Sequence, residues 1–285
     1  MSSAQRVAVV TGSNKGIGFA IVVELCKKFN GIVYLTGRNA DLGKKAVANL
    51  KKIGLTPQFQ QLDIDDVPSI EAFAKYIKET HGGLDVLINN AAIAYTQSST
   101  VPFAEQTEHT IRVNYFGTLN VCKALFPLLR PHSRVVTVSS FVAMLDGVPG
   151  RKLRDNFVYE DLTEDELSKL MEDFVESTKA GNYIEKGWPP SAYSISKVAV
   201  TALTVIQQRA FDKDPREDII VNCINPGFVD TDMSSHRGSS TPEEGAAPAV
   251  YAALLPPNVT SPKGQLIWND KSVAQWAPLP LPKRN

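Results

Sequence analysis

The chain has 285 residues, 43% of them hydrophobic, enough to bury a sizeable core in one domain or two. Thirty basic and thirty acidic residues cancel and are well mixed along the chain, which argues against a global field for nucleic acid or an anionic membrane. Cys26, Cys122 and Cys223 are odd in number and widely spaced, so they suggest neither a disulfide ladder nor a zinc site, and read as reduced core thiols.

Residues 1–6 are polar and run into the short apolar stretch 7–10, too brief for a signal-peptide core or a membrane span. A soluble cytoplasmic protein is the expectation, and the sequon at Asn258-Val259-Thr260 then reads as chance. A first strand is expected at residues 7–11. Thr11-Gly12-Ser13-Asn14-Lys15-Gly16-Ile17-Gly18 follows it and opens a helix over 18–29. Its glycines allow a tight turn and let backbone N–H groups approach a pyrophosphate at the positive helix end. The spacing is Gly-x-x-x-Gly-x-Gly, not the usual Gly-x-Gly-x-x-Gly, and no Lys-Ser/Thr follows the last glycine, so this is no P-loop. Gly12, Asn14, Lys15, Gly16, Ile17 and Gly18 are candidate cofactor contacts.

The second strand, at 32–36, ends in Thr36-Gly37-Arg38. An NAD site would place an acid there for the ribose 2′-hydroxyl. Arg38 instead offers a planar fork suited to a 2′-phosphate, and Lys15 adds a second cation. NADP(H) is therefore the expected cofactor. Asp41 comes too late for the ribose and reads as the cap of a helix over 41–53.

Further strands are expected at 57–62, 84–89, 134–139, 219–225 and 265–268, with helices over 69–80, 105–129 and 191–211. The near-continuous apolar strands imply a parallel sheet covered on both faces. The pattern predicts the α/β class: a single doubly wound domain over 1–285 with a mainly parallel seven-stranded sheet. Residues 141–190 break the rhythm as a helical insertion. Within it Thr163-Glu164-Asp165-Glu166 is a capping box, and Leu167, Leu170, Met171, Phe174 and Thr178 follow at helical spacing. Pro189-Pro190 stiffens the return and offers Ser191 as a cap. Residues 277–285 form a C-terminal tail.

Tyr193 and Lys197 lie four residues apart on the last long helix, so their side chains share one face. A phenol with a pKa near 10 costs roughly 4 kcal/mol to ionise at pH 7. A neighbouring ammonium favours the phenolate and so makes the hydroxyl a better acid. Such pairs also occur on ordinary solvated helices, and the surroundings decide their meaning.

Those surroundings resemble the short-chain dehydrogenase/reductases. Thr11-Gly12-x-x-x-Gly16-x-Gly18, Asn89-Asn90-Ala91, Asn114, Ser139-Ser140, Tyr193-x-x-x-Lys197 and Pro226-Gly227 occur in that family's order, over about residues 7–276. The N-terminal run, Asp63-Ile64-Asp65-Asp66, the long insertion and Gln275-Trp276 look like the monomeric NADPH-dependent carbonyl reductases. The resemblance implies a Rossmann-type fold in which Tyr193 gives its proton to the substrate oxygen as hydride arrives from the nicotinamide. It implies that Lys197 holds the nicotinamide ribose and depresses the tyrosine pKa, that Ser140 hydrogen-bonds the developing oxyanion, and that Asn114 places a water connecting Lys197 to solvent. It also implies Asp63 and Ile64 at the adenine, Asn90 beside the ribose, and Pro226, Val229 and Thr231 around the nicotinamide. Two departures stand out: Ala92 replaces the family's usual glycine, and residues 141–192 make a far longer connection between Ser140 and Tyr193 than in most members. The insertion would cover the surface that oligomeric members pair, which predicts a monomer.

Tyr95, Gln106, Phe141, Met144, Trp188, Phe228 and Trp268 or Trp276 are candidates for a pocket suited to a bulky aromatic or conjugated ketone, aldehyde or quinone. His81, His109, His132 and His236 lack metal spacing, and no metal is expected. The leading expectation is NADPH-dependent reduction of a small-molecule carbonyl. The alternatives are an NADP-dependent alcohol or steroid dehydrogenase working oxidatively, and a non-catalytic NADP(H) sensor.

Overall fold

The computed structural model describes residues 5–96, 98–278 and 281–283. The ends of the polar N-terminal run and of the 277–285 tail lie in part outside the described residues. Strands β1 (Val7–Val10), β2 (Ile32–Gly37), β3 (Gln58–Gln61), β4 (Leu84–Asn89), β5 (Leu129–Val138), β6 (Ile220–Ile224) and β7 (Leu266–Ile267) form one sheet in the order β3-β2-β1-β4-β5-β6-β7. Every pairing between neighbouring strands is parallel. The helices are α1 (Gly16–Lys28), α2 (Ala40–Lys52), α3 (Val67–His81), α4 (Phe103–Ile111), α5 (Thr118–Leu125), α6 (Arg151–Asn156), α7 (Glu164–Lys179), α8 (Ala192–Phe211) and α9 (Pro242–Ala253).

The period-2 alternation of the strands divides the core into layers. Ala8 and Val10 of β1 join Val33, Leu35, Val86 and Ile88 under α1, α2 and α9. Val7 and Val9 point the other way, toward α3 and α5. Burying each such aliphatic side chain contributes about 1.5–3 kcal/mol. The apolar stripe of α7, with Leu167, Met171 and Phe174, packs with α8 residues such as Ile195, Val198 and Ala202.

Three expectations need correction, and one helix was not expected. Asn39, not Asp41, caps α2: its Oδ1 accepts the Leu42 N–H at 2.9 Å, and Asp41 sits inside the first turn. The helix expected over 105–129 is broken into α4, a π turn at Arg112–Gly117, α5 and a 3-10 turn at Phe126–Leu128. The fifth strand begins at Leu129, earlier than residue 134, with a register shift against β4. Residues 242–253, where no element was expected, form α9 behind a Thr241 capping box. In the insertion, by contrast, the expected Thr163 box is present and α7 follows it.

Candidate active site

The strand order reverses between β1 and β4, where an open α/β sheet places its ligand crevice at the carboxyl ends of the strands. The turn after β1 lies there. Gly12 has φ +60°, and a Cβ on it would lie 2.8 Å from Ala91. A Cβ on Gly18 would lie 2.4 Å from Asn90 Nδ2 and 2.8 Å from Ser13 Cα. Thr11 Oγ1 accepts the N–H groups of Asn90 and Ala91, both at 3.0 Å. Asn90 Nδ2 donates back to the carbonyls of Thr11 and Gly12 at 2.9 and 3.0 Å. Asn90 therefore braces the glycine turn from the far side. Ala92 lies outside the left-handed region, so its methyl costs no strain.

Helix α1 starts with no side-chain cap and no acid in its first turn, which leaves its first N–H groups and positive end to an anion. A Cβ on Gly37 would lie 3.2 Å from Asn14 Oδ1, so Asn14 sits at the end of β2, next to the exposed Arg38. Asp63 receives the Asp65 N–H on Oδ1 at 3.0 Å, while Ile64 is buried against the π turn, where a Cβ on Gly117 would lie 2.7 Å from the Ile64 carbonyl. A glycine cradle on a free helix end, with Arg38 and no carboxylate at the end of β2, fits a dinucleotide bearing a 2′-phosphate. Lys15 is engaged elsewhere, however: its Nζ lies 2.6 Å from Asp232 Oδ2.

The second half of the site forms where β5 and β6 end against α8. Ser191 caps α8, accepting the Ser194 N–H at 3.2 Å, and this starts the helix that carries Tyr193 and Lys197. The buried Lys197 Nζ donates to the Val138 carbonyl at 2.7 Å and lies 5.5 Å from the Tyr193 ring centroid. Burial pulls the Lys197 ammonium down to about 8. Burial pushes the Tyr193 phenol up to about 12, and interaction with the Ser140 hydroxyl acts in the opposite direction. The expectation that Lys197 depresses the tyrosine is thus not met by this geometry. Desolvation dominates, and the ammonium faces a backbone carbonyl.

The two adjacent serines divide their work. Ser139 Oγ lies 2.7 Å from Thr201 Oγ1 and donates to the Lys197 carbonyl at 3.3 Å, tying β5 to α8. Ser140 Oγ accepts the Val142 N–H at 3.4 Å, which leaves its own proton free to donate toward Tyr193 or a substrate oxygen. Asn114 lies in the π turn, an irregularity often found at functional sites. Its Oδ1 accepts the Ile93 N–H at 2.8 Å, and its Nδ2 donates to the Ile93 carbonyl and Ser196 Oγ at 2.9 and 3.0 Å. Beyond β6, Pro226 and Val229 are buried and Phe228 is exposed. A Cβ on Gly16 would lie 3.4 Å from Thr231 Cγ2, so Thr231 lies across the glycine turn.

The pocket candidates separate. Trp188 is 1% exposed, packed against Phe157 and Phe174 with its Nε1 toward Asp173. It belongs to the core of the insertion and presents no surface to a substrate. Trp276 is likewise buried, and its Nε1 donates to the Ala143 carbonyl at 2.7 Å. Gln106 spends its amide on the Val101 carbonyl at 2.7 Å, and Tyr95 OH pairs with His109 Nδ1 at 2.8 Å. Phe141 and Phe228 remain the large exposed apolar candidates, with Met144 and Trp268 partly buried. Three contacts escaped sequence reasoning: the Val138 carbonyl, Thr201 behind Ser139, and Asp232 on Lys15. A main-chain acceptor and partners distant in sequence leave no local signal.

A model of the short chain dehydrogenase family matches residues 6–152. Mouse carbonyl reductase (NADPH) 3 is 48% identical over 278 residues, which cover 97% of this chain and all of that protein. Human carbonyl reductase (NADPH) 1 is 46% identical over 280 residues with the same coverage. Among solved structures, salutaridine reductase from Papaver somniferum matches with a TM-score of 0.83 and 31% identity, covering 92% of this chain and 99% of that one.

Proposed function

The chain belongs to the short-chain dehydrogenase family, and on that premise we propose that it is an NADPH-dependent carbonyl reductase in which Tyr193 is the general acid. The observation that carries this reading is the convergence of Tyr193, Ser140 and Lys197 at the end of β5, beside a glycine cradle. Near-full-length likeness to proteins named NADPH carbonyl reductases supports it. NADPH supplies the hydride when bound. With its pKa near 12, the Tyr193 phenol stays protonated at neutral pH and holds its proton for the carbonyl oxygen. Ser140 donates its free hydroxyl proton to the same oxygen as negative charge develops. Lys197, charged below pH about 8, would hold the ribose hydroxyls, and Asn114 would place a water behind it. Arg38, exposed at the end of β2, and Asn14 beside it would take the 2′-phosphate side. Phe141 and Phe228 offer exposed apolar faces to an aromatic or conjugated ketone, aldehyde or quinone.

The monomeric state and cytoplasmic residence belong to the same proposal. Helix α7 packs on α4 and α8, and Lys179 reaches Glu108 of α4 at 3.1 Å, which supports a covered oligomer face. Three free thiols, two of them buried, suit a reducing compartment. No helix among the described residues is long and apolar enough to cross a membrane.

Loss of NADPH absorbance with a panel of quinones, cyclic diketones and aromatic aldehydes tests the activity. Tyr193→Phe is expected to abolish turnover, a loss of at least a hundredfold, while NADPH still binds. Turnover by that variant would remove Tyr193 as the acid. Tight NADPH binding without turnover of any carbonyl by the unaltered protein would favour the sensor reading.

A further inference from the structure

The loop after β6 reaches back to the glycine turn through a set of charges that the reduction itself does not need. Lys15 Nζ lies 2.6 Å from Asp232 Oδ2, a pair separated by 217 positions in the chain. The second oxygen of Asp232 is 3.1 Å from His236 Nε2, and His236 Nδ1 is 2.8 Å from Asp230 Oδ1. The loop that carries these groups is firmly built. Ser239 and Ser240 donate their N–H groups to the Phe228 carbonyl at 2.8 and 3.0 Å, and the Asp230 N–H donates to the Ser240 carbonyl at 2.8 Å. A Cβ on Gly238 would lie 2.0 Å from the Val229 carbonyl carbon, so the two arms of the loop touch. Arg38, the other cation at this end of the site, is exposed and has no ion pair among the described residues.

We propose that Asp232 is a specificity-determining residue for the cofactor: its carboxylate and the 2′-phosphate compete for the Lys15 ammonium. The proposal rests on the NADPH reading above. A phosphate monoester carries about −1.5 to −2 charge and three acceptor oxygens, so it outbids a single carboxylate for an exposed lysine. NADPH binding must therefore break the Lys15–Asp232 pair. NADH has no 2′-phosphate and leaves the pair intact, so Asp232 weakens binding of the phosphorylated cofactor alone. Asp232 is not stranded by the exchange, because its other oxygen stays on His236. Both side chains are about two-thirds exposed, at 67% and 60%. Exchange of an exposed pair of this kind corresponds to about a two- to five-fold change in affinity.

The test is calorimetric titration of the protein with NADP+ and with NAD+ at low ionic strength, where surface charges are least screened. Four forms are compared: the unaltered chain, Asp232→Asn, Lys15→Ala and the double variant. Asp232→Asn is expected to tighten NADP+ two- to five-fold, to leave NAD+ unchanged, and to do nothing in the Lys15→Ala background. Unchanged NAD+ affinity also certifies that the variant is folded. No change for NADP+, equal change for both cofactors, or the same change without Lys15 overturns the competition while leaving the NADPH reading in place. Tighter binding of NAD+ than NADP+ by the unaltered chain overturns that reading and the proposal with it.

Discussion

At the scale of single residues, burial matters more to Tyr193 and Lys197 than their mutual distance. The four-residue spacing was legible in the sequence and so was the family of neighbours, but the direction of each titration was not. Lys197 has an ordinary value of 10.5 and sits at about 8, so its charge is present below that pH and lost as pH rises through it. Tyr193 moves the other way, from 10.0 to about 12, and keeps its proton throughout that window. The Tyr193→Phe variant isolates the lysine, because it removes turnover and the second titrating group. NADP+ affinity measured on it is expected to weaken as pH rises past about 8. A profile flat through that region would show that the ribose grip does not depend on the ammonium. The same shift predicts that Lys197 costs the protein stability below pH 8 and returns it between there and 10.5, where the unfolded chain binds the extra proton.

At the scale of elements, the outcome followed whether local signal and tertiary packing agreed. In α7 they agree: the Thr163–Glu166 box marks the start, and Leu167, Met171 and Phe174 form one buried stripe. Phe174 is fully buried and stacks on Trp188 with ring centroids 4.7 Å apart. Phe174→Ala is expected to lower unfolding free energy by about 3–5 kcal/mol in denaturant titration. A loss below about 1 kcal/mol would mean that the insertion helix is only loosely docked. In α9 they conflict. Gly245 and Pro248 argue against a helix, and an interior proline costs about 3 kcal/mol. The helix forms because Ala246, Ala249, Ala252 and Ala253 present a small-residue face that packs closely in the α1 layer. The Thr241-x-x-Glu244 box marks the start of this helix, against the glycine and proline inside it. The π turn that interrupts the α4–α5 run had no local signal at all. It answers to Gly117 pressing on Ile64 and to Asn114 reaching Ile93, contacts made only once the sheet is assembled.

At the scale of the whole molecule, the insertion carries the proposal that the protein is a monomer. With α7 laid over α4 and α8, size-exclusion chromatography with light scattering is expected to give the mass of one chain. A stable dimer or tetramer would show that another surface does the pairing. The sequence by itself determined the α/β alternation, the glycine cradle, the choice of Arg38 over an acid, and the Tyr193–Lys197 register. Each of these is written in local periodicity, in turn chemistry, or in a helix spacing that needs no distant partner. Only the tertiary structure decided that Ser139 ties β5 to α8 while Ser140 interacts with Tyr193, that Trp188 is core, and that Lys15 pairs with Asp232. Those outcomes depend on burial and on contacts between residues far apart in the chain, and neither is a property of any short stretch of sequence.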